Sequence, residues 1–465
     1  MQKKWVVPFV VLVVALELWI QKPTTNKAYF NPNIVSQNFA SDRLIVSYKG
    51  EVNTLQRNQV LSDIRVVTSS IQKRETLLPN MEVLVLKDKA LFWDTFNRLS
   101  NHPAVAFVEP DYEVKLLFGS RKKKKKAPAE PDIPFPMQRG QPSSDPFLDR
   151  TYGLYKIQAP QSWEIHRGSS NVIVAVIDSG IDYLHEDLTA NLWYNPGEIQ
   201  NDGIDNDNDG FIDDIIGWDF RNNDNKPYDD NAHGTHVAGT IGAVGENGRG
   251  ISGVIQKVSI MALKFTNNEG SGRTSDAISA IRYAVDHGAN ILSNSWGGEN
   301  FTQALYDAVK YAQERGVLFI AAAGNGGNDS RGDDIDRYPT YPAAFDLDNV
   351  ISVAATNSHD ELEYFSNFGK NSVDLGAPGV YIYSTVPKNK YEAFSGTSMA
   401  TPHVAGGAAL LLSYKPNLSF TDIKNILLSS TDKLPTLNNK SVSGGRLNVR
   451  AALTSASVVV GQNED

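Results

Sequence analysis

Val172-Ile173-Val174-Ala175-Val176-Ile177-Asp178-Ser179-Gly180 is an apolar run that ends in a carboxylate and a glycine. An unbroken apolar run of this length is typical of a strand buried on both faces of a parallel sheet. Similar runs recur downstream, at 258–263, 291–292, 317–323 and 350–355. Helical stretches alternate with them, at roughly 235–243, 275–286, 302–314 and 397–413. This alternation predicts an α/β fold, a mainly parallel sheet with helices on both faces.

Three polar segments fall where such a sheet forms its crevice, beyond the carboxyl ends of the strands. They are Asp178, Asn231-Ala232-His233-Gly234-Thr235-His236, and Phe394-Ser395-Gly396-Thr397-Ser398-Met399-Ala400-Thr401-Pro402-His403. A serine hydroxyl becomes a nucleophile when an imidazole takes its proton and a carboxylate holds that imidazole in the right tautomer. Asp178, His233 and Ser398 supply those groups. Taken singly, a serine at a helix start is simply a cap.

The three segments, in the order Asp, His, Ser, resemble the signature motifs of the subtilase family, most specifically in the Gly-Thr-Ser-Met-Ala-x-Pro-His run. The resemblance covers about residues 146–453 and leaves 454–465 as a C-terminal tail. It implies a three-layer α/β/α catalytic domain that hydrolyses peptide bonds through an acyl-enzyme. Ser398 would be the nucleophile, His233 the general base and acid, and Asp178 the residue that orients it. For His236, burial beside the site and a metal-binding pair with His233 both remain open.

Further segments match family positions that contact the substrate. Asn325 matches the asparagine that donates to the oxygen of the tetrahedral intermediate, together with the Ser398 backbone N–H. The resemblance places an extended substrate between two segments, Gly270, Ser271, Gly272 and Ser295, Trp296, Gly297. Glycine allows close approach of a peptide, and a strand edge binds one by β-addition. Trp296 suits either substrate contact or ordinary packing.

The part of the chain before the α/β pattern divides into three stretches. Residues 1–28 begin with a basic segment and an apolar run, which predicts a secretory signal peptide, with an uncleaved membrane anchor as the alternative. Residues 41–117 combine strand and helix patterns in a short span, which predicts a small α+β domain. Residues 118–145 hold a basic run and several prolines. This composition indicates an exposed linker, a processing site or a contact with an anionic surface.

The small α+β domain also resembles the intramolecular inhibitor that precedes subtilase catalytic domains. The matching segments are residues 44–48 and 105–111. In the family, the C-terminal tail of this inhibitor occupies the active cleft like a substrate and is cut by the enzyme itself. The resemblance therefore implies that residues 41–117 are an inhibitory propeptide and that self-cleavage occurs near Leu117 or Phe118.

An acidic loop, Asp205-Asn206-Asp207-Asn208-Asp209-Gly210-Phe211-Ile212-Asp213-Asp214, predicts a metal site. Its alternating oxygen ligands and the glycine at its sixth position match the start of an EF-hand calcium loop, although Ile216 stands where a glutamate would close it. We expect a structural Ca²⁺ and no catalytic cofactor. The expected ligand residues are Asp205, Asp207, Asp209, Phe211, Asp213 and Asp214. A solvated acidic loop without an ion is the alternative.

Composition limits the remaining function classes. The 465 residues carry a net charge of -9, which argues against nucleic-acid binding, and the absence of cysteine excludes disulfides and a thiolate nucleophile. Together with the signal pattern, the subtilase resemblance implies a secreted, monomeric serine endopeptidase that acts on polypeptides, is inhibited by its own propeptide, and contacts a membrane only if the N-terminal segment is retained. The alternative from another class is a catalytically inactive subtilase fold that serves as a calcium-dependent binding protein.

Overall fold

The computed structural model describes residues 39–50, 52–65, 70–117, 144–327 and 329–460. The predicted signal segment, almost all of the predicted linker and the last residues of the chain lie outside these ranges. Within them, no helix combines the length and the apolar character that crossing a membrane requires.

The N-terminal domain is an antiparallel sheet with two helices packed on one face. Its elements are β1 (Phe39–Tyr48), α1 (Thr54–Asp63), β2 (Ile71–Leu78), β3 (Met81–Leu86), α2 (Phe92–Ser100) and β4 (Val105–Leu116). The strands lie in the order β4-β1-β3-β2. Because side chains alternate along a strand, Leu44 and Val46 pack on the helices while Ile45 packs on the C-terminal domain. The α+β architecture predicted for this region is found, with α1 and β2 added to the predicted elements.

The C-terminal domain follows with longer, more regular alternation of strands and helices. Its strands are β5 (Gly168–Asp178), β6 (Gly217–Asp219), β7 (Lys257–Lys264), β8 (Ser271–Arg273), β9 (Ile291–Asn294), β10 (Trp296–Gly297), β11 (Leu318–Ala322), β12 (Val350–Thr356), β13 (Leu375–Pro378), β14 (Ile382–Val386), β15 (Lys390–Phe394), β16 (Asp432–Lys433) and β17 (Gly445–Arg446). Its helices are α3 (Tyr152–Lys156), α4 (Ala159–Ser162), α5 (His233–Gly242), α6 (Thr274–Asp286), α7 (Gln303–Glu314), α8 (Thr397–Tyr414), α9 (Phe420–Ser429) and α10 (Val449–Val460).

The central sheet of this domain has the strand order β16-β17-β13-β12-β11-β9-β5-β7-β6. Neighbouring strands are parallel except for β16 and β17. Val174 and Val176 of β5 pack towards α5 and α8, and the alternate residues Ala175 and Ile177 pack towards α6 and α7. A strand apolar on both faces therefore requires helices on both sides, and the predicted three-layer α/β/α architecture is confirmed.

The sheet positions the candidate site along one edge. Asp178 is the last residue of β5, Asn294 is the last residue of β9, and Asn325 lies just beyond the end of β11. Because these neighbouring strands are parallel, their carboxyl ends meet at one edge, where polar residues replace the apolar run. At the other end of the domain, α10 continues to Val460, so the predicted boundary at 453 falls inside a helix.

Candidate active site

The carboxylate of Asp178 and the imidazole of His233 are in direct contact. Nδ1 of His233 lies 2.7 Å from Oδ1 and 2.9 Å from Oδ2 of Asp178, and both side chains are fully buried. Asp178 ends β5 and His233 begins α5, so a strand end and a helix start bring the pair together. An Nδ1–H that donates to the carboxylate leaves Nε2 as the proton-accepting nitrogen.

The turn that presents His233 is held by the buried carboxylate of Asp229. This carboxylate accepts hydrogen bonds from Ser179 Oγ (2.8 Å), the Ala232 backbone N–H (2.8 Å), and both the N–H (2.8 Å) and Oγ1 (2.6 Å) of Thr235. Ala232 has a φ of 87°, in the left-handed region that alanine rarely adopts. Such strain persists where surrounding contacts enforce it, and here it sets the position of the imidazole.

His236 is a buried neighbour of this pair. Its Nε2 lies 2.8 Å from the Ile382 carbonyl oxygen, and its ring stacks on Phe394 with the centroids 4.4 Å apart. Burial lowers the pKa of His236 to about 3, so the ring stays neutral at ordinary pH. Of the two interpretations left open by the sequence, these contacts favour burial beside the site over a metal pair with His233.

The hydroxyl of Ser398 meets the end of the N-terminal domain. Ser398 is the second residue of α8, and its Oγ lies 2.7 Å from the carbonyl oxygen of Leu117 and 2.9 Å from that of Ser295. The side-chain amide of Asn325 donates to the same Leu117 oxygen. The carbonyl group of Leu117 therefore lies where the candidate nucleophile and the candidate oxyanion donor converge.

Strand β4 approaches this point as an extended peptide between β8 and β10. It pairs antiparallel with both strands, and the Leu116 and Leu117 N–H groups donate to the Gly270 (2.9 Å) and Ser295 (3.1 Å) carbonyls. The predicted substrate-binding residues all adjoin β4: Ser271, Gly272, Trp296 and Gly297 pair with it, as does Arg273, and Gly270 and Ser295 accept its hydrogen bonds. This is the geometry of peptide recognition by β-addition.

The side chain of Leu117 lies beside the second of these strands. A Cβ at Gly297 would lie 2.9 Å from the Tyr341 carbonyl oxygen and 3.4 Å from Leu117 Cδ1, so glycine keeps this space open. Trp296 forms β10 and is fully buried, with its ring centroid 5.1 Å from that of Phe265. The ring of Trp296 therefore packs in the core while its backbone pairs with β4, and contact with substrate stays a prediction.

Two carboxylates of β4 bind the N-termini of helices in the C-terminal domain. Glu109 accepts from the N–H groups of Gln303 (2.7 Å) and Ala304 (3.1 Å) at the start of α7. Asp111 accepts from the Ser275 N–H (2.9 Å) and Oγ (2.7 Å) at the start of α6. Helix N-termini carry unpaired N–H groups and partial positive charge. The sequence shows two carboxylates two residues apart on a predicted strand, but it does not show that the starts of α7 and α6 are their partners.

The acidic loop gathers two overlapping groups of candidate ligands. Glu198, Asp205 and Asp207 form one group, and Asp207, Asp209 and His287 form the other, with ligand atoms within 4.8 Å of one another in each. Glu198 and His287 lie outside the motif, so the EF-hand pattern did not identify them. Calcium prefers oxygen ligands, and imidazole suits transition metals. The all-carboxylate group is therefore the one whose chemistry fits calcium.

The carboxylates of Asp213 and Asp214, two further predicted ligands, have other partners. Asp213 accepts from the N–H groups of Asp202 and Gly203 at 3.2 and 3.1 Å. Asp214 is buried and accepts from Tyr283 Oη and, at 3.0 Å, from Asn195. The Phe211 ring packs on Trp218, Phe220 and Tyr283. Among the described residues, Asp205, Asp207 and Asp209 thus fall in these groups, and Asp213 and Asp214 do not. Phe211 would bind through its backbone carbonyl, as the seventh position of an EF-hand loop does, so its ligand role stays a prediction.

Comparison with known proteins agrees with this architecture. Residues 169–445 match the subtilase family (Peptidase S8). Thermitase of Thermoactinomyces vulgaris is 40% identical over 293 residues, which are 63% of this chain and 92% of thermitase. Subtilisin DY of Bacillus licheniformis is 36% identical over 301 residues, 65% of this chain and 97% of that protein. The fold and these matches place the chain among the α/β serine peptidases. It belongs to the subtilase family and is a serine endopeptidase.

A third relative matches a longer part of the chain. The thermophilic serine proteinase of Bacillus sp. (strain AK1) is 33% identical over 396 residues, which are 85% of this chain and 83% of that protein. An alignment of this length exceeds the part of the chain from 144 to the C-terminus, so it extends into the N-terminal domain.

Proposed function

We propose that Asp178, His233 and Ser398 form the catalytic triad of this endopeptidase and that Asn325 is its oxyanion donor. One observation carries the proposal: the carbonyl oxygen of Leu117 contacts both Ser398 Oγ and the Asn325 amide. Attack on a peptide bond requires a nucleophile beside the carbonyl group and a hydrogen-bond donor on its oxygen. The site thus holds a segment of its own chain in the position of a substrate.

The chemistry follows from the order of these groups. Ser398 Oγ attacks the carbonyl carbon while its proton passes to His233 Nε2, and Asp178 stabilises the resulting imidazolium. The carbonyl oxygen becomes an oxyanion, to which Asn325 donates. His233 then protonates the departing amine as the C–N bond breaks, leaving an acyl-enzyme on Ser398. A water molecule then attacks the acyl-enzyme in the same way, giving up its proton to His233. The ester bond to Ser398 breaks, the serine regains its proton from His233, and the new carboxyl group is released.

The N-terminal domain acts as an inhibitory propeptide in this proposal. β4 occupies the strand position between β8 and β10, and the bonds from Glu109 and Asp111 to the starts of α7 and α6 anchor it. Cleavage between Leu117 and Phe118 would leave this domain bound as a competitive product. We infer that the precursor cuts itself at this bond and is inhibited until the domain dissociates.

Export completes the proposed biology. The basic and apolar pattern of residues 1–28 supports secretion through a signal peptide, and the mature enzyme would act as a monomer on extracellular polypeptides. N-terminal sequencing of the active form tests both processing events. A mature N-terminus at Phe118 or later supports the proposal, and an active form that retains residues 1–28 contradicts secretion by signal cleavage.

A fluorophosphonate distinguishes the active enzyme from the catalytically inactive binding protein. We expect labelling of the processed chain at Ser398, identified by peptide mass, together with hydrolysis of unfolded casein. Labelling without casein hydrolysis would indicate an enzyme that processes only itself. A processed, calcium-loaded chain that takes up no label would contradict the catalytic proposal.

We propose further that Glu198, Asp205 and Asp207 hold a structural Ca²⁺. Their carboxylate oxygens supply the negative charge and the donor type that calcium prefers. The ion would link Glu198, which precedes the acidic loop, to Asp205 and Asp207 within it. Its role would be stability, because none of its ligands belongs to the proposed triad.

Removal of calcium is expected to lower the melting temperature of the processed enzyme by several degrees. An ion that binds only the folded state contributes about 2.7 kcal/mol when present at 100 times its Kd. Calorimetry with and without a chelator measures the shift. Glu198→Gln should remove most of this sensitivity, whereas Asp209→Asn, which removes the carboxylate facing His287, should retain it. Equal sensitivity of the wild type and Glu198→Gln would exclude the proposed ligands.

A further inference from the structure

Lys264 is a buried cation at the edge of the sheet that carries the candidate triad. It is the last residue of β7, and it pairs in register with Asp178, the last residue of β5. Its side chain is only 2% exposed. In the sequence it appears as the end of an ordinary apolar run, and no step proposed above uses it.

Burial of a lysine is unfavourable unless its ammonium group is paired and hydrogen-bonded. The Nζ of Lys264 donates to the Ser179 carbonyl oxygen at 2.9 Å and to Asp230 Oδ1 at 2.7 Å. Ser179 follows Asp178 in the chain, and Asp230 lies in the turn that leads to His233. The ammonium group thus bridges the segment that carries the triad carboxylate and the turn that carries the imidazole.

The same two segments are joined a second time through Asp229. That carboxylate accepts from Ser179 Oγ and the Ala232 N–H, but Asp229 is itself a residue of the turn. Lys264 differs because it is fixed by β7, a strand that is paired on both sides, with β5 and with β6. It therefore supplies a rigid reference against which both segments are held.

We propose that Lys264 is a positioning residue that sets the distance between Asp178 and His233 by binding Ser179 and Asp230. The inference rests on the proposed triad. Misplacement of a catalytic group by about 1 Å can cost on the order of 100-fold in rate. Loss of one of two anchors is expected to cost less, on the order of tenfold in kcat. KM should stay near the wild-type value, because β8 and β10 bind the peptide without Lys264.

Lys264→Met and Asp230→Asn test the proposal in the full chain. The substrate is a peptide in which the Val114–Leu117 sequence directly precedes the bond to be cleaved. Lys264→Met keeps the length of the side chain and removes its charge. Asp230 is 48% exposed, so its substitution leaves the core intact. We expect kcat to fall in both variants, and the double variant to resemble Lys264→Met, because the two residues act through one contact. The downfield resonance of the His233 Nδ1 proton should broaden or shift in both.

Ile260→Val is the matched control, since it alters a fully buried position of the same strand without touching the bridge. It should lower the melting temperature slightly and leave kcat and the proton resonance unchanged. A wild-type chain that fails to react with fluorophosphonate would overturn the triad itself. If the wild type is active and Asp230→Asn changes neither kcat nor the His233 proton resonance, the proposed role of Lys264 is overturned. Additive losses of kcat in the double variant would also overturn this role, because they would mean that the two residues act independently.

Discussion

Ser398→Ala is expected to leave the chain uncut between Leu117 and Phe118 and without endopeptidase activity. In the proposed mechanism the serine oxygen forms the covalent bond to the substrate, and no other hydroxyl of the described residues contacts the Leu117 carbonyl oxygen. Loss of a triad serine lowers kcat by roughly a million-fold, a magnitude carried over from subtilisin. Electrophoresis of the chain expressed in a host without other proteases measures the processing.

Ser413→Ala provides the control for this experiment. Ser413 lies on the same helix, α8, and its hydroxyl donates to the Leu410 carbonyl, so the same substitution is made away from the cleft. This variant should mature normally. A Ser398→Ala chain that still yields the processed form would show that cleavage before Phe118 is done by another enzyme. Loss of processing in both variants would point to a folding defect.

The α/β domain could be predicted from the sequence because its signals are local. A run such as Val172–Ile177 is apolar at every position, mostly β-branched and soon followed by glycine, which favours a strand covered on both faces. The polar residue that ends the run then lies at the carboxyl edge of the sheet. Asp178 ends a strand, Asn325 lies just beyond one, and His233 and Ser398 lie in the first turns of helices, so each proposed site residue falls in a short local motif.

Other features depend on contacts between distant parts of the chain, and the sequence does not encode them locally. Strand β2 (Ile71–Leu78) is rich in charged residues and is a strand because it pairs with β3. Glu198 precedes the acidic loop without matching its spacing. Lys264 becomes notable only when Ser179 and Asp230 are seen to lie around it. Such assignments require the folded structure, since burial and partner identity determine them.

The pairing of β4 with β8 and β10 is the clearest example of such a long-range feature. The sequence resemblance indicated that the end of the N-terminal domain would enter a cleft. The structure adds the register, with Lys115 opposite Ser271 and Gly297, and this register brings the Leu117 carbonyl to Ser398. A shift of one residue would turn every side chain of β4 to the opposite face.

Substitution of Asn325 should give the second largest loss of activity and should separate binding from catalysis. Its Oδ1 accepts from the Thr397 N–H (2.8 Å) and Oγ1 (2.9 Å), so the orientation of the amide is fixed and Nδ2 faces the Leu117 oxygen. Because a donor strengthens its bond as the oxygen becomes negative, Asn325→Ala should lower kcat by about 10²–10³, as in subtilisin, with little change in KM. Asn325→Asp keeps the acceptor for Thr397 but places a negative charge beside the oxyanion, so its loss of kcat should be at least as large.

Asn371→Ala, a substitution at an exposed position, should retain full activity in the same assay. A raised KM with unchanged kcat would mean that Asn325 binds the ground state and transition state equally, which is incompatible with an oxyanion donor.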